Sequence, residues 1–186
     1  SIPLMVLVGP PATVLLAGSA LALSGIRLAR PPERLVLVAG VLVLASAPAF
    51  GSWLPDPVRD GAKTENAFER RNPPIIFSRW HPVFRVDVQR SPMEPDDVLM
   101  LSHDGMWGST IRRFDGDPAA LAHYEWNARS LPFRVLGPGA NVAIVGSAGG
   151  NEIPASLHFD AAHVTAIELN PVTVSLLTTD LADWSG

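Results

Sequence analysis

The sequence predicts an α/β fold made of three parts. These are an N-terminal transmembrane helical hairpin, a small antiparallel β-sheet, and the first βαβα portion of a Rossmann-like nucleotide-binding domain. Three observations lead there. Two runs carry no charge at all, Ile2 to Ile26 (25 residues) and Leu35 to Leu54 (20 residues). The pair Asp104-Gly105 separates two short apolar runs. From Asn141 to Pro171 the chain reads strand, glycine turn, helix, strand, acid.

Each charge-free run meets the ~20 residues that cross a hydrocarbon core. Arg27, Arg30 and Arg34 lie in the turn between them. A cleaved signal peptide fits poorly, because there are two segments and no basic leader region; a buried helical pair is the other reading. Pro10-Pro11 and Pro48 should kink the spans. The arginines of the turn favour a cytoplasmic turn, which sends the rest outside. Arg59, Lys63, Arg70 and Arg71 follow the second run and weaken that bias. A nucleotide-type cofactor is available inside, so the expectation is a membrane protein with its soluble part in the cytoplasm.

The divisions that follow are 1–54, two transmembrane helices; 55–74, a charged, proline-containing linker; 75–134, a small sheet plus a helix; and 135–186, the start of the Rossmann-like domain. Val83 to Val88 alternates apolar and polar, as a half-buried strand does. Asp97 to Leu101 and Met106 to Ile111 flank Asp104-Gly105, a pair suited to the positive φ angles of a tight hairpin. Asp117-Pro118 predicts a helix reaching to about Arg129, with Leu121, Tyr124 or Glu125, and Ala128 on one stripe. Leu136 to Ala140 reads as a loop feeding the next strand.

Asn141 to Val145 has the uninterrupted apolar character of a strand buried on both faces of a parallel sheet. It ends in Gly146-Ser147-Ala148-Gly149-Gly150. Asn151 is placed to cap the next helix, with Pro154 in its first turn. A second strand, His163 to Ile167, carries Glu168 at its carboxyl end, and Asn170-Pro171 starts another helix. A turn poor in Cβ atoms lets main-chain N–H groups approach a ligand. A carboxylate at the neighbouring strand's tip can accept both ribose hydroxyls. Glu168 stands 22 residues after Gly146, close to the ~20 typical of that role. The spacing is not G-x-G-x-x-G, because Ala148 and Asn151 take the second and third glycine places. It fits the looser G-x-G-x-G turn of adenosylmethionine-dependent enzymes better. A tight βα turn of any α/β protein, with Glu168 merely a solvated strand end, is the alternative.

Composition narrows the function. The chain has 186 residues, 47% apolar, with mean hydropathy +0.22. Residues 55–186 hold 11 Lys+Arg against 17 Asp+Glu, a net of −6. No basic patch is visible, which argues against a nucleic-acid partner. Without cysteine there is no disulfide, thiolate metal site or cysteine nucleophile. His81, His103, His123, His158 and His163 show no ligand spacing, so no metal is expected.

The ordered set Ser78-Arg79-Trp80, Arg85-Val86-Asp87-Val88, Asp104-Gly105, Tyr124, the glycine turn, Glu168-Leu169-Asn170-Pro171 and Leu181-Ala182-Asp183-Trp184-Ser185-Gly186 resembles the spermidine synthase (aminopropyltransferase) family. The resemblance covers residues 75–186 and looks closest to a bacterial branch in which the domain follows membrane-spanning helices. It implies a class I SAM-dependent methyltransferase fold binding S-adenosylmethionine or its decarboxylated form. Gly146, Ser147, Ala148, Gly149, Gly150, Glu168 and Asn170 would hold the cofactor. Tyr124 would line the mouth near a small-molecule acceptor of the polyamine type; a core-facing aromatic is the equal alternative for it. A homodimer is compatible with the family. On the same resemblance the chain looks like an incomplete fragment, inactive alone, with the catalytic residues expected beyond Gly186.

Three departures stand out. Met106-Trp107-Gly108 replaces a glutamine after the Asp-Gly turn, Trp126 replaces an acid two residues past the tyrosine, and Ala148 replaces the middle glycine. Three functional classes therefore stay open. They are a membrane-tethered aminopropyl or methyl transferase, a non-catalytic membrane protein with a degenerate SAM-binding module, and an NAD(P)-dependent oxidoreductase.

Overall fold

The structure, a computed structural model, describes residues 2–46, 49, 75–90 and 95–186. The chain divides into a helical unit and a larger α/β unit. The linker expected at 55–74 and the end of the second apolar run lie outside the described residues.

The helical unit holds α1 (Ile2–Val8), α2 (Pro10–Ile26) and α3 (Pro31–Ala45). The kink expected at Pro10-Pro11 is a full break, which corrects the expectation of one kinked helix over the first apolar run. The first run breaks at Gly9, whose φ of 81° redirects the chain, so that α1 and α2 meet at 118°. The cause is Pro10-Pro11: a proline ring inside a helix removes an N–H and collides with the carbonyl one turn back, yet fits the first turn of a new helix. Among the described residues no single helix is long and apolar enough to cross a membrane, although α1 and α2 taken together, as one bent pair, have the length and apolar composition for it. Helices α2 and α3 pack side by side, burying Ala12, Ser19 and Val41. Many of their large side chains point outward, with Leu21 75% and Leu35 76% exposed. Each hydroxyl of α2 donates back into its own helix: Thr13 to Gly9 O, Ser19 to Leu15 O and Ser24 to Ala20 O, at 2.9–3.0 Å.

In the α/β unit, β1 (Ile75–Arg79), β2 (Val86–Arg90), β3 (Val98–His103) and β4 (Met106–Arg112) form an antiparallel sheet in sequence order. The hairpin expected at Asp104-Gly105 is present. His103 pairs with Met106, and the two turn residues have φ of 51° and 79°. Strand β2 starts later than the alternation suggested and is buried from Val86 through Gln89, so it is not half-buried. Asp87 stays buried because Arg85 meets its Oδ2 from Nε at 2.9 Å and Nη2 at 2.8 Å, while the Ser78 hydroxyl donates to Oδ1 at 2.7 Å. Val86, Val88, Leu99, Leu101 and Ile111 form one core with Val172 and Leu176. Each such buried aliphatic side chain contributes about 1.5–3 kcal/mol.

The helix expected from Asp117 to Arg129 is instead a 3₁₀ segment, Pro118–Trp126, followed by a short 3₁₀ turn, Ala128–Ser130. Asp117 does cap the first, accepting the Ala119 N–H at 2.9 Å, and Asn127 caps the second, accepting from Arg129 N–H at 2.9 Å. With three residues per turn, Leu121 and Tyr124 share a face, and both are buried while Ala128 is exposed. A short helix that the sequence did not announce, α4 (Leu131–Leu136), follows, and Gly137 to Ala140 then forms the expected loop.

Strands β5 (Asn141–Val145) and β6 (His163–Ile167) pair in parallel, joined by α5 (Glu152–His158). Only Val142 and Ile144 of β5 are buried, so the strand covered on both faces is also corrected. Among the described residues its packing partners, including Leu121, Tyr124, Phe133 and Ala155, lie on one side. After β6 come α6 (Pro171–Ser175), a π-turn at Leu176–Asp180, and α7 (Ala182–Ser185).

Candidate functional site

The glycine turn leaves β5 and is tied at once to the neighbouring strand. Gly146 and Ser147 donate their N–H groups to the Ile167 carbonyl, at 2.8 and 3.2 Å, and Gly150 donates to Ser147 O at 2.7 Å. Glu168, at the end of β6, turns back over this loop. Its Oε2 accepts the Ala148 N–H at 3.0 Å and its Oε1 accepts the Asn170 N–H at 2.9 Å. The acid thus faces the turn, with lone pairs remaining on each oxygen. Asn170 itself is fully buried. Its Oδ1 caps α6 by accepting the Val172 N–H at 3.0 Å, and its Nδ2 donates to the Phe84 carbonyl at 3.0 Å. That side chain anchors β6 to the small sheet, and only its main-chain N–H reaches Glu168.

The glycines differ in what they do. A Cβ on Gly146 would meet nothing within 4 Å, whereas one on Gly149 would lie 2.0 Å from the Thr110 carbonyl oxygen. Gly146 borders open space; Gly149 is small so that β4 can pass. Ala148 takes φ of 44°, a left-handed conformation that costs an L-residue about 1–2 kcal/mol. Asn151 does not cap α5 as expected. Its Nδ2 donates to Thr110 O at 2.7 Å and lies near the Ser109 and Thr110 hydroxyls at 3.3 and 3.2 Å. The tight approach of β4 at Gly149 brings those acceptors within its reach.

Tyr124 is 1% exposed, and among the described residues its hydroxyl finds no partner. A buried hydroxyl left so costs roughly 1–3 kcal/mol. Burial raises its pKa above 10.0, with Arg112 nearby acting the other way. It lines a cavity of about 320 Å³, shared with Gly149, Gly150, Arg112 and Phe114. Gly146, Ser147, Ala148, Glu168 and Asn170 are not among the residues lining it. The predicted residues therefore fall on two sides of the turn: Glu168 with the first half, Tyr124 with the second.

His103, one of the five histidines without ligand spacing, lies beside this site. Its ring stacks on Phe84 at 4.2 Å between centroids, the residue whose carbonyl holds Asn170. On the other side lies Gly108, where a Cβ would come within 2.7 Å of the His103 Nδ1. Burial lowers the His103 pKa below 6.5, opposed by Glu168 and Asp104. The imidazole is therefore neutral at pH 7, and its Nε2 is buried without a partner among the described residues. The readable signal was Gly108, since glycine inside a strand marks a close approach. The ring fills the space that any side chain at position 108 would need.

Among the described residues no cluster of three His, Asp or Glu side chains could hold a metal ion. Comparison with protein-family models, with curated proteins and with solved structures finds no match to this chain.

Proposed function

We propose that the chain is a membrane-tethered, spermidine synthase-like transferase that uses S-adenosylmethionine or its decarboxylated form. The observation that carries this reading is Glu168 closing over the turn, bonded to the Ala148 N–H at 3.0 Å. A ribose laid against Gly146 would meet that carboxylate. The turn's own bonding favours a sulfonium nucleoside over a dinucleotide. The N–H groups of Gly146, Ser147, Ala148 and Gly150 are all engaged inside the protein. A pyrophosphate needs several such N–H groups free, so the nicotinamide reading is disfavoured.

The outward-facing apolar side chains of α1–α3 and the back-bonded hydroxyls of α2 support a membrane tether. The α/β unit is assigned to the cytoplasmic side, where the cofactor is found. The second reading, a non-catalytic membrane protein with a degenerate nucleoside-binding module, draws on Ala148, held in a strained conformation where glycine would be relaxed.

Calorimetric titration of the full chain with S-adenosylmethionine, methylthioadenosine and NADH tests the proposal. The nucleosides should bind, NADH should not, and Glu168→Gln should weaken nucleoside binding about tenfold, as expected for a charged hydrogen-bond partner. NADH binding alone, or nucleoside binding indifferent to Glu168, would refute it. Nucleoside binding by the full-length protein with no turnover of any acceptor would select the second reading.

A further inference from the structure

We infer that the cavity beside Tyr124 is a binding site for a small apolar carboxylate, an aryl- or alkylalkanoic acid, and not for a polyamine. It rests on this cavity alone and holds whether or not the turn takes a nucleoside. At about 320 Å³ the cavity falls within the range of small-molecule sites, ~300–1,000 Å³. Phe114, Leu121, Ile153, Leu157 and Leu177 supply apolar walls. Such walls select a hydrocarbon body.

The polar groups decide the rest. The Tyr124 hydroxyl is buried without a partner among the described residues and can donate to an anion. Arg112 and Arg113 line the same cavity, and no Asp or Glu side chain does. Arg112 is only loosely held elsewhere, since its contact with Asp97 is 3.4 Å long and partly exposed on both sides, a kind of pair that adds little. Glu152, the other acid close to Tyr124, is already paired with Arg129. An ammonium group entering here would lose its water beside two guanidinium groups and with no Asp or Glu side chain to receive it, which is strongly unfavourable. A carboxylate would accept from Tyr124 and sit beside the Arg112 guanidinium.

The test uses the full chain without any nucleoside, so a failure here is separate from a failure of cofactor binding. By calorimetry and saturation-transfer NMR, 3-phenylpropionate should bind saturably. The matched amine 3-phenylpropylamine, and spermidine, should bind at least tenfold more weakly. Tyr124→Phe should weaken 3-phenylpropionate about tenfold. Ala120→Trp, on an exposed position at the cavity wall, should block it while leaving the circular dichroism unchanged. No carboxylate binding, amine or spermidine binding as tight as the carboxylate's, or carboxylate binding unmoved by both variants would overturn the inference.

Discussion

His103 illustrates how a single residue acquires meaning only from its neighbours. Nothing in its spacing sets it apart from the other histidines, yet Phe84 and Gly108 clamp its ring and burial keeps it neutral. The consequence for pH has a definite sign. The folded pKa is depressed, while the unfolded chain protonates this histidine near 6.5. Between the two values the unfolded state binds more protons, so stability rises with pH there. The contribution is fully present above pH 6.5 and is lost as pH falls through the folded value. Urea midpoints measured from pH 8 down to pH 5 should fall for the native chain. His103→Gln, which cannot titrate, should show a shallower fall; equal slopes would show that this imidazole is not held neutral.

At the scale of elements, the turn after β5 was legible as a backbone feature but not in its division of labour. Asp104-Gly105, Asn170 before Pro171, and the two parallel strands could all be read because each depends on local backbone rules. Asn151 could not, because Thr110, 41 residues away in the chain, offers it a better partner than its own helix. The 3₁₀ segment and α4 escaped the helical periodicity for a similar reason: short elements hold their shape through packing, here Leu121, Tyr124 and Phe133 against β5. The glycines give the sharpest test of the turn. Gly149→Ala drives a methyl group to 2.0 Å from the Thr110 carbonyl and should cost about 3 kcal/mol, as overpacking does. Gly146→Ala meets no atom but keeps a φ of 74°, so strain of about 1 kcal/mol is expected. Nucleoside binding should respond in the opposite order relative to stability, because open space adjoins Gly146. Denaturation midpoints and titrations on both variants check this, and a larger stability loss at Gly146 would contradict the packing argument.

For the whole molecule, the question is what surrounds α1, α2 and α3. At 1.5 Å per residue, the 17 residues of α2 and the 15 of α3 reach only ~26 Å and ~22 Å, short of the ~30 Å hydrocarbon core. Length alone therefore argues against simple spanning by either helix, while surface character argues for lipid. Val14 and Leu42 are 69% and 66% exposed, and water gains nothing from such side chains. Replacing either by arginine separates the two environments. In lipid, a charge costs ~2.5–3.5 kcal/mol at a helix centre and less towards the ends, so Val14→Arg, in the second turn of α2, or Leu42→Arg, in the last turn of α3, should reduce flotation with phosphatidylcholine–phosphatidylglycerol vesicles about tenfold. On a water-facing surface the same changes should stay within about 0.5 kcal/mol and leave flotation untouched. Vesicle binding that survives both substitutions would mean that these helices are not what meets the bilayer, and the outward apolar faces would then need a protein partner to cover them.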